Sequence, residues 1–362
     1  MKERFCIEKL IPDFKGLARD KNGKAVIIDK ALSGEVVDAR ITKVYKNYSL
    51  ASAINIIKPS LERDEPDCKY FNKCGSCQLL HIKREVEEKY KLIFFKELFK
   101  GFYNVKFEDP VFLNRFKART RVKFHISNGK IGFMQSKTNE IIDIDKCPLL
   151  CDELNQRLCS LKNSNAKLKN GDMQFLYSSN GKIQLGNCIY SVDNDVFFQS
   201  NLAIAEKLLD YVSDNCSFGN VLDVYAGIGF FSQKLEKNPN IKSIVAIEEN
   251  KKCLRHAKTN LKNSDYLNIP FEKLDTKALL KKIKHIDACI IDPPRNGLSA
   301  MALKKLLSLN PDKIIYVSCN IKSNINDIKK ICEYGYAIKS AKLFDMYPAT
   351  VHIESVVILE SI

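Results

Sequence analysis

The chain has 362 residues, 45% of them apolar, and a formal net charge of +15. That length gives room for two or three domains with ordinary cores, and no apolar run approaches the roughly 20 residues of a membrane-spanning helix. The opening residues, Met1 to Leu10, lack the apolar core of a secretory leader and imply a cytoplasmic protein, while the positive excess favours a polyanionic partner.

Residues 1 to 57 read as short β segments, Phe5 to Leu10, Lys24 to Ile28, Glu35 to Val44 and Tyr48 to Ile57, with turns at Asn22-Gly23 and Ser33-Gly34. Short strands spaced by turns suggest a small barrel of the OB type. Lys43, Lys46 and Tyr48 suit either a nucleic-acid groove with a stacking ring or an ordinary solvated face. The charged stretch from Pro59 to Pro66 reads as a linker.

Thirteen cysteines without a secretory signal point to metal binding, catalysis or simple burial rather than to disulfides. Cys68, Cys74 and Cys77 form a C-x5-C-x2-C array, and Gly75 lets the backbone fold around a common point. Three ligands leave such a site incomplete, and Cys147, followed by Pro148, is the best candidate for the fourth. Four thiolates suit tetrahedral zinc or an iron-sulfur cluster.

Between Lys83 and Lys100, Val86, Tyr90, Ile93, Phe94 and Leu98 fall near one face of a packing helix. In residues 105 to 146 the β pattern returns, and strand alternation puts Arg119, Arg121 and Lys123 on one face, facing either phosphates or water. A helix is expected over 151 to 162 and short strands over 171 to 198. From Phe197 onward the pattern becomes repeated βα units with apolar strands at Leu222 to Tyr225, Ile244 to Glu248, Ala288 to Ile291, Ile314 to Val317 and Val356 to Leu359. This is the signature of a mostly parallel, doubly wound α/β sheet.

Three motifs in that half carry chemistry. Asp223-Val-Tyr-Ala-Gly227-Ile-Gly229 follows a strand and opens a helix, and Glu248 at the tip of the next strand is placed for ribose hydroxyls. With two glycines followed by Phe230 and Phe231, S-adenosylmethionine fits this loop better than a dinucleotide. Asp292-Pro-Pro-Arg295 makes a rigid turn after a later strand. Cys319 ends the run Ile314-Ile-Tyr-Val-Ser318, where open α/β sheets build their sites, and is a candidate nucleophile; Glu354, thirty-five residues on, is a candidate base. If the segment around it is extended, His352 shares a face with Glu354.

Jointly, the cysteines 68, 74, 77 and 147, Phe198-Gln199-x-Asn201, the Asp223 to Gly229 loop, Asp292-Pro-Pro-Arg295, Ser318-Cys319-Asn320 and His352-Ile-Glu354 resemble the RNA uracil-5-methyltransferases, in the branch with an OB-like TRAM domain and a four-cysteine iron-sulfur site. The resemblance implies a Rossmann-like S-adenosylmethionine-dependent catalytic domain over 197–362, a TRAM domain over 1–57, and a central β-rich domain over 58–196 holding a [4Fe-4S] cluster, with zinc as the alternative. It assigns Cys319 as nucleophile, Glu354 as base, and Gln199, Tyr225, Glu248, Asp275 and Asp292 as cofactor contacts. Two departures stand out: Ala226 replaces a cysteine common in the loop, and Phe230 stands where a polar residue often contacts the cofactor. Structured RNA is the implied partner of a monomer, 23S rRNA ahead of tRNA. A non-catalytic RNA-binding module on the same fold is the reading from another class, and an exocyclic-amine methyltransferase leaves Cys319 and the cysteine array without a job.

Overall fold

A computed structural model describes residues 2–136, 138–164 and 169–362, and the chain forms two compact units. Unit 1 comprises Met1–Phe94, Gly132–Ile144 and Ala349–Val351, and unit 2 comprises Phe95–Ile131, Asp145–Pro348 and His352–Ile362.

Unit 1 opens with β1 (Lys2–Cys6), β2 (Lys9–Ile11), β3 (Lys15–Arg19), β4 (Ala25–Asp29), β5 (Val36–Val44) and β6 (Tyr48–Lys58), forming one sheet in the order β1-β5-β6-β4-β3-β2. Alternate residues point inward and bury Phe5, Ala18, Val26, Ile28, Val37, Ala39 and Ala51 in one cluster. Three register shifts between β5 and β6 bend the sheet as a small barrel requires. The expected single segment from Phe5 to Leu10 is broken between Cys6 and Lys9, and β3 was hidden because Lys-Gly-Leu-Ala-Arg has no β-branched residue. The expected linker is pinned: the Arg63 guanidinium donates to Lys30 O at 2.8 Å and makes a two-point contact with the fully buried Glu35 carboxylate.

Helix α1 (Arg84–Leu98) follows. Val86, Tyr90 and Phe94 pack with Leu10, Phe14 and Leu32 as the helical period demands. Ile93, however, is exposed, and the buried positions of the last turn are Phe95 and, just beyond the helix, Phe99.

The middle of the chain supplies β7 (Lys106–Phe107), β8 (Arg121–Ser127), β9 (Lys130–Met134), β10 (Ile141–Asp143), α2 (Asp152–Asn163), β11 (Gly171–Leu176), β12 (Lys182–Leu185) and β13 (Cys188–Ser191). On β8, Val122, Phe124 and Ile126 are buried and the cations face away, as expected, although the strand starts at Arg121 and leaves Arg119 outside it. Both strand cations have partners within the chain: Arg121 Nη1 donates to Val196 O at 2.6 Å, and Lys123 Nζ to Asp172 Oδ2 at 2.9 Å.

The remaining elements are α3 (Leu202–Asn215), β14 (Gly219–Val224), α4 (Phe230–Leu235), β15 (Ile241–Ile247), α5 (Cys253–Asn260), β16 (Asp265–Leu267), α6 (Thr276–Ile283), β17 (Ala288–Ile291), α7 (Ala300–Leu309), β18 (Lys313–Ser318), α8 (Ile321–Glu333), β19 (Tyr336–Phe344) and β20 (Glu354–Ser361). They build an eight-stranded sheet in the order β16-β15-β14-β17-β18-β20-β19-β7, with β20 antiparallel to both its neighbours. Ile204, Leu208, Leu209 and Val212 of α3 pack with Val221, Ile290, Ile315 and Val317, each such side chain contributing about 1.5–3 kcal/mol on burial. This core holds the strand ends, and with them the site, in place.

Candidate active site

Parallel strands in the order β15-β14-β17-β18 end at one edge of the sheet, and the residue after each belongs to a motif singled out in the sequence: Glu248, Tyr225, Asp292 and Cys319. Because β20 runs antiparallel to β18, it starts where β18 stops. Ser355 lies opposite Ser318 and Val356 opposite Val317, and the residues just beyond that last pair are Cys319, which follows β18, and Glu354, which opens β20. The thiol and the carboxylate are thus delivered to one place by strand pairing.

The turn after β18 is fixed from within. Ser318 is fully buried, and its Oγ accepts hydrogen bonds from Asn320 N at 3.1 Å and Asn324 Nδ2 at 3.0 Å. Asn320 Nδ2 donates to Arg295 O at 3.2 Å, tying the Asp292 to Arg295 turn to the Cys319 turn. Asp327 Oδ2 accepts from Leu298 N and from Tyr316 OH, both at 2.8 Å, and so holds the far end of the same turn. Gly297 is required there: its φ is +78°, and a Cβ would lie 2.4 Å from Asp327 Oδ2.

Electrostatics mark the same cluster. Burial first, then the charges of Glu354 and Asp292, push the Cys319 thiol up to about 11, with Arg295 acting in the opposite sense. Burial and the charge of Asp292 hold the Glu354 carboxyl well above the usual carboxylate range, again opposed by Arg295. Glu354 is 3% exposed, and its Oε1 has no hydrogen-bond partner among the described residues. The Tyr347 hydroxyl is raised by burial, then by Glu354 and Cys319. Tyr347 gave no signal in the sequence, because it lies in an irregular connection that only the tertiary fold brings to the thiol. His352 lies outside β20 and is exposed, its ring edge-on to Tyr347 with centroids 6.3 Å apart. The strand alternation expected to pair it with Glu354 therefore does not operate.

The glycine loop is equally well defined. Asp223 Oδ2 accepts from Ser232 Oγ at 2.6 Å and Ser232 N at 3.2 Å, joining the end of β14 to α4. Tyr225 has φ +63°, a left-handed conformation that costs a non-glycine residue free energy and clusters at functional sites. Glu248 Oε2 accepts from Gly227 N at 3.0 Å and Oε1 from Asn250 N at 2.7 Å. Burial, followed by the charges of Asp223 and Glu248, raises Asp292 to about 7. Burial, opposed by the Ser232 hydrogen bonds and reinforced by Glu248, raises Asp223 to about 6. Carboxylates gathered in this way, with Asp223 and Glu248 both acting on Asp292, form a site suited to a cation. Gln199 is buried with its Oε1 unpartnered among the described residues, while Asn201, two residues on, caps α3 by accepting from Ile204 N. Phe230 packs against Tyr190 and Phe198, and its carbonyl accepts from Tyr190 OH at 2.7 Å. Asp275 is exposed and caps α6 by accepting from Ala278 N at 3.0 Å.

Cys68, Cys74 and Cys77 belong to unit 1, where Cys74 and Cys77 are buried and burial pushes the half-buried Cys68 thiol up. Their loop lies tight against β9: Gly75 N donates to Met134 O at 3.0 Å, and a Cβ on Gly75 would stand 3.1 Å from that oxygen. Cys147 belongs to unit 2, its backbone fixed on both sides by Asn155, which accepts from Cys147 N at 2.9 Å and donates to Cys147 O at 3.0 Å. Among the described residues, side-chain ligand atoms within 4.8 Å of one another occur elsewhere, at the largely exposed His285, Asp287 and Asp312.

The sequence profile described as tRNA (Uracil-5-)-methyltransferase matches residues 172–362, and that of the TRAM domain matches residues 6–54. An uncharacterized RNA methyltransferase of Thermotoga maritima is 26% identical over 99% of both chains. The 23S rRNA (uracil(1939)-C(5))-methyltransferase RlmD of Haemophilus influenzae is 29% identical, over 95% of this chain and 93% of that one. The tRNA (uracil(54)-C(5))-methyltransferase of Schizosaccharomyces pombe is 26% identical, over 93% and 74% respectively. In fold, the chain is similar to the Pyrococcus abyssi tRNA (uracil-54, C5)-methyltransferase solved with S-adenosyl-L-homocysteine, with a TM-score of 0.77 over 98% of this chain and 99% of that one at 22% identity. With a profile match over more than half its length beside an N-terminal TRAM domain, the chain belongs to the tRNA (Uracil-5-)-methyltransferase family.

Proposed function

We propose that this protein methylates C5 of a uridine in structured RNA, with S-adenosylmethionine as methyl donor, Cys319 as nucleophile and Glu354 as base. The observation that carries the reading is the β18–β20 register, whose last pair, Ser318 and Ser355, is followed by a thiol on one strand and a buried carboxylate, with one oxygen unpartnered among the described residues, on the other. Uracil C5 is a weak nucleophile. Addition of the Cys319 thiolate to C6 forms a C–S bond and moves the C5=C6 electron pair into an enolate, whose C5 is nucleophilic. S-adenosylmethionine, when bound, supplies a sulfonium methyl group for C5 to take. The Glu354 carboxylate then accepts the C5 proton, the C5=C6 bond re-forms, and the Cys319 thiolate leaves. Asp292, together with Arg295, which lowers the thiol's pKa, frames the reacting pair. The target base stands outside its stack, at a cost of a few kcal/mol.

Gln199, Tyr225, Glu248 and Asp292 are assigned as the donor's contacts. The buried carboxyl of Asp292, beside the charges of Asp223 and Glu248, suits a cationic sulfonium, and the buried Gln199 Oε1, unpartnered among the described residues, suits a donor group. Asp275 is assigned beside the adenine, although its carboxylate already caps α6. Cys68, Cys74, Cys77 and Cys147 are assigned to one [4Fe-4S] cluster, with zinc as the alternative; three buried thiols and the half-buried Cys68 suit either group. On the TRAM domain, the Tyr45 and Tyr48 rings stack at 4.7 Å with Lys43 Nζ over Tyr45, a basic aromatic patch suited to RNA. We assign 1–57 to the RNA-binding barrel, 58–196 to the central part and 197–362 to catalysis, in a cytoplasmic monomer. Among the described residues no helix is long and apolar enough to cross a membrane.

Ribosomal RNA is the favoured substrate, since the 23S rRNA enzymes match nearly end to end. The full-length fold likeness to a tRNA enzyme supports transfer RNA as the second reading. Mapping 5-methyluridine across rRNA and tRNA in a strain lacking the protein decides between them: one uridine in 23S rRNA should lose its methyl group. Loss confined to tRNA would overturn the rRNA assignment, and no loss in either RNA would overturn the activity.

A further inference from the structure

The mechanism leaves unused a buried ion pair on α1. Glu87 is fully buried and Lys91 nearly so, with Lys91 Nζ 2.8 Å from Glu87 Oε1 and the partly exposed Arg84 Nη1 3.2 Å from the same oxygen. Buried pairs of this kind contribute little stability over apolar residues of similar volume, so their presence calls for another explanation. Glu87 Oε1 also accepts a hydrogen bond from Ala349 N at 2.8 Å, 262 residues away. Ala349 is fully buried with φ +61°, a left-handed conformation that a non-glycine residue holds only where its surroundings over-determine it. Its carbonyl is held as well, accepting from Gln78 N at 2.9 Å and Leu79 N at 3.0 Å. Ala349–Val351 is the part of the β19–β20 connection that belongs to unit 1; Tyr347 lies two residues before it, and Glu354 follows three residues after it.

We propose that Glu87 is a positioning residue for the general base: its carboxylate, oriented by Lys91 and Arg84, fixes the strained Ala349 and thereby the start of β20 that delivers Glu354. Gln78 and Leu79 hold the other side of the same peptide. The clamp acts on the connection that leads into the base, so it governs proton removal and product release more than adduct formation. This inference rests on the assignment of Glu354 as base.

The test compares wild type, Glu354→Gln and the double variant Glu87→Met/Lys91→Met, which replaces the pair by apolar groups and so avoids leaving Lys91 buried alone. Total RNA from a strain lacking the protein and S-adenosylmethionine carrying a tritiated methyl group serve as probes. Thermal unfolding establishes that each variant is folded. Single-turnover experiments then measure formation of the covalent RNA adduct and release of methylated RNA separately. The double variant should form adduct at the wild-type rate and release product about 10²-fold more slowly, the scale expected of a misplaced catalytic group, accumulating a methylated covalent complex as Glu354→Gln does. If Glu354→Gln accumulates the complex and the folded double variant releases product normally, or loses adduct formation and release equally, the positioning role is wrong while the base assignment stands. If Glu354→Gln itself accumulates no complex, the base assignment fails and this inference fails with it.

Discussion

Cys319 was legible because an apolar strand ending in Ser-Cys-Asn announces both its burial and its terminus. Glu354 was legible as a residue type at a strand start, but its place at the same sheet end as the thiol follows from the antiparallel register of β20. Tyr347 was not legible at all, since no periodicity governs the connection that carries it. The acidic residues at the strand ends lead to a prediction at this scale. Asp292 rises from 3.8 to about 7 in the folded protein, chiefly through burial. A carboxyl whose folded pKa is raised contributes stability that is fully present below its unfolded pKa and is lost as pH rises through the folded value. The ligand-free protein should therefore lose stability between about pH 4 and pH 7. Asp292→Asn, which removes the buried charge, should flatten that decline and raise Tm at pH 8 while weakening binding of S-adenosylmethionine. A Tm profile across this range identical to that of wild type would show that Asp292 does not carry the effect.

Long, strongly apolar elements such as β17 and β18 were read from the sequence within a residue or so, because burial on both faces leaves a continuous hydrophobic run. Shorter or mixed ones escaped. β16 has three residues and β7 two, while β19 carries Lys339 and Lys342 among its apolar positions. The Pro59 to Pro66 stretch read as a linker because its anchor, Glu35, lies 28 residues from Arg63 in the chain, beyond any local pattern. At element scale the turn after β17 is the most exacting feature. Gly297→Ala would force a Cβ into Asp327, whose carboxylate also holds Leu298 N and Tyr316 OH. The expected cost is about 1–3 kcal/mol, seen as a Tm lower by several degrees together with slower methyl transfer, because Arg295 lies in this turn and its carbonyl accepts from Asn320, the residue after Cys319. Unchanged stability and rate would mean that the turn adapts freely.

Over the whole molecule, the C-x5-C-x2-C array and Cys147 were visible as residue types, whereas their division between two compact units was not, since no sequence pattern reports which unit a cysteine joins. Ligation of all four by one group would close a loop of about seventy residues, for which a structural role is expected. Anaerobically purified protein should be brown, with about four irons and four sulfides per chain, and Cys147→Ser should lose the colour and unfold at a lower temperature. A colourless protein with one stoichiometric zinc would replace the cluster by the alternative ion. The +15 charge fits an RNA substrate in a corresponding way: binding of bulk RNA should weaken steeply with salt whatever its sequence.

The claim on which the rest depends is that Cys319 becomes covalently bonded to C6 of the target uridine. RNA transcribed with 5-fluorouridine tests it most directly, because fluorine at C5 cannot leave as a proton and the adduct cannot collapse. After incubation with this RNA and S-adenosylmethionine, digestion and mass spectrometry should find a methylated fluorouridine on the peptide containing Cys319 and on none of the other twelve cysteines. Cys319→Ala should show no such adduct. An adduct on a different cysteine, or methylation by Cys319→Ala at the wild-type rate, would contradict the account.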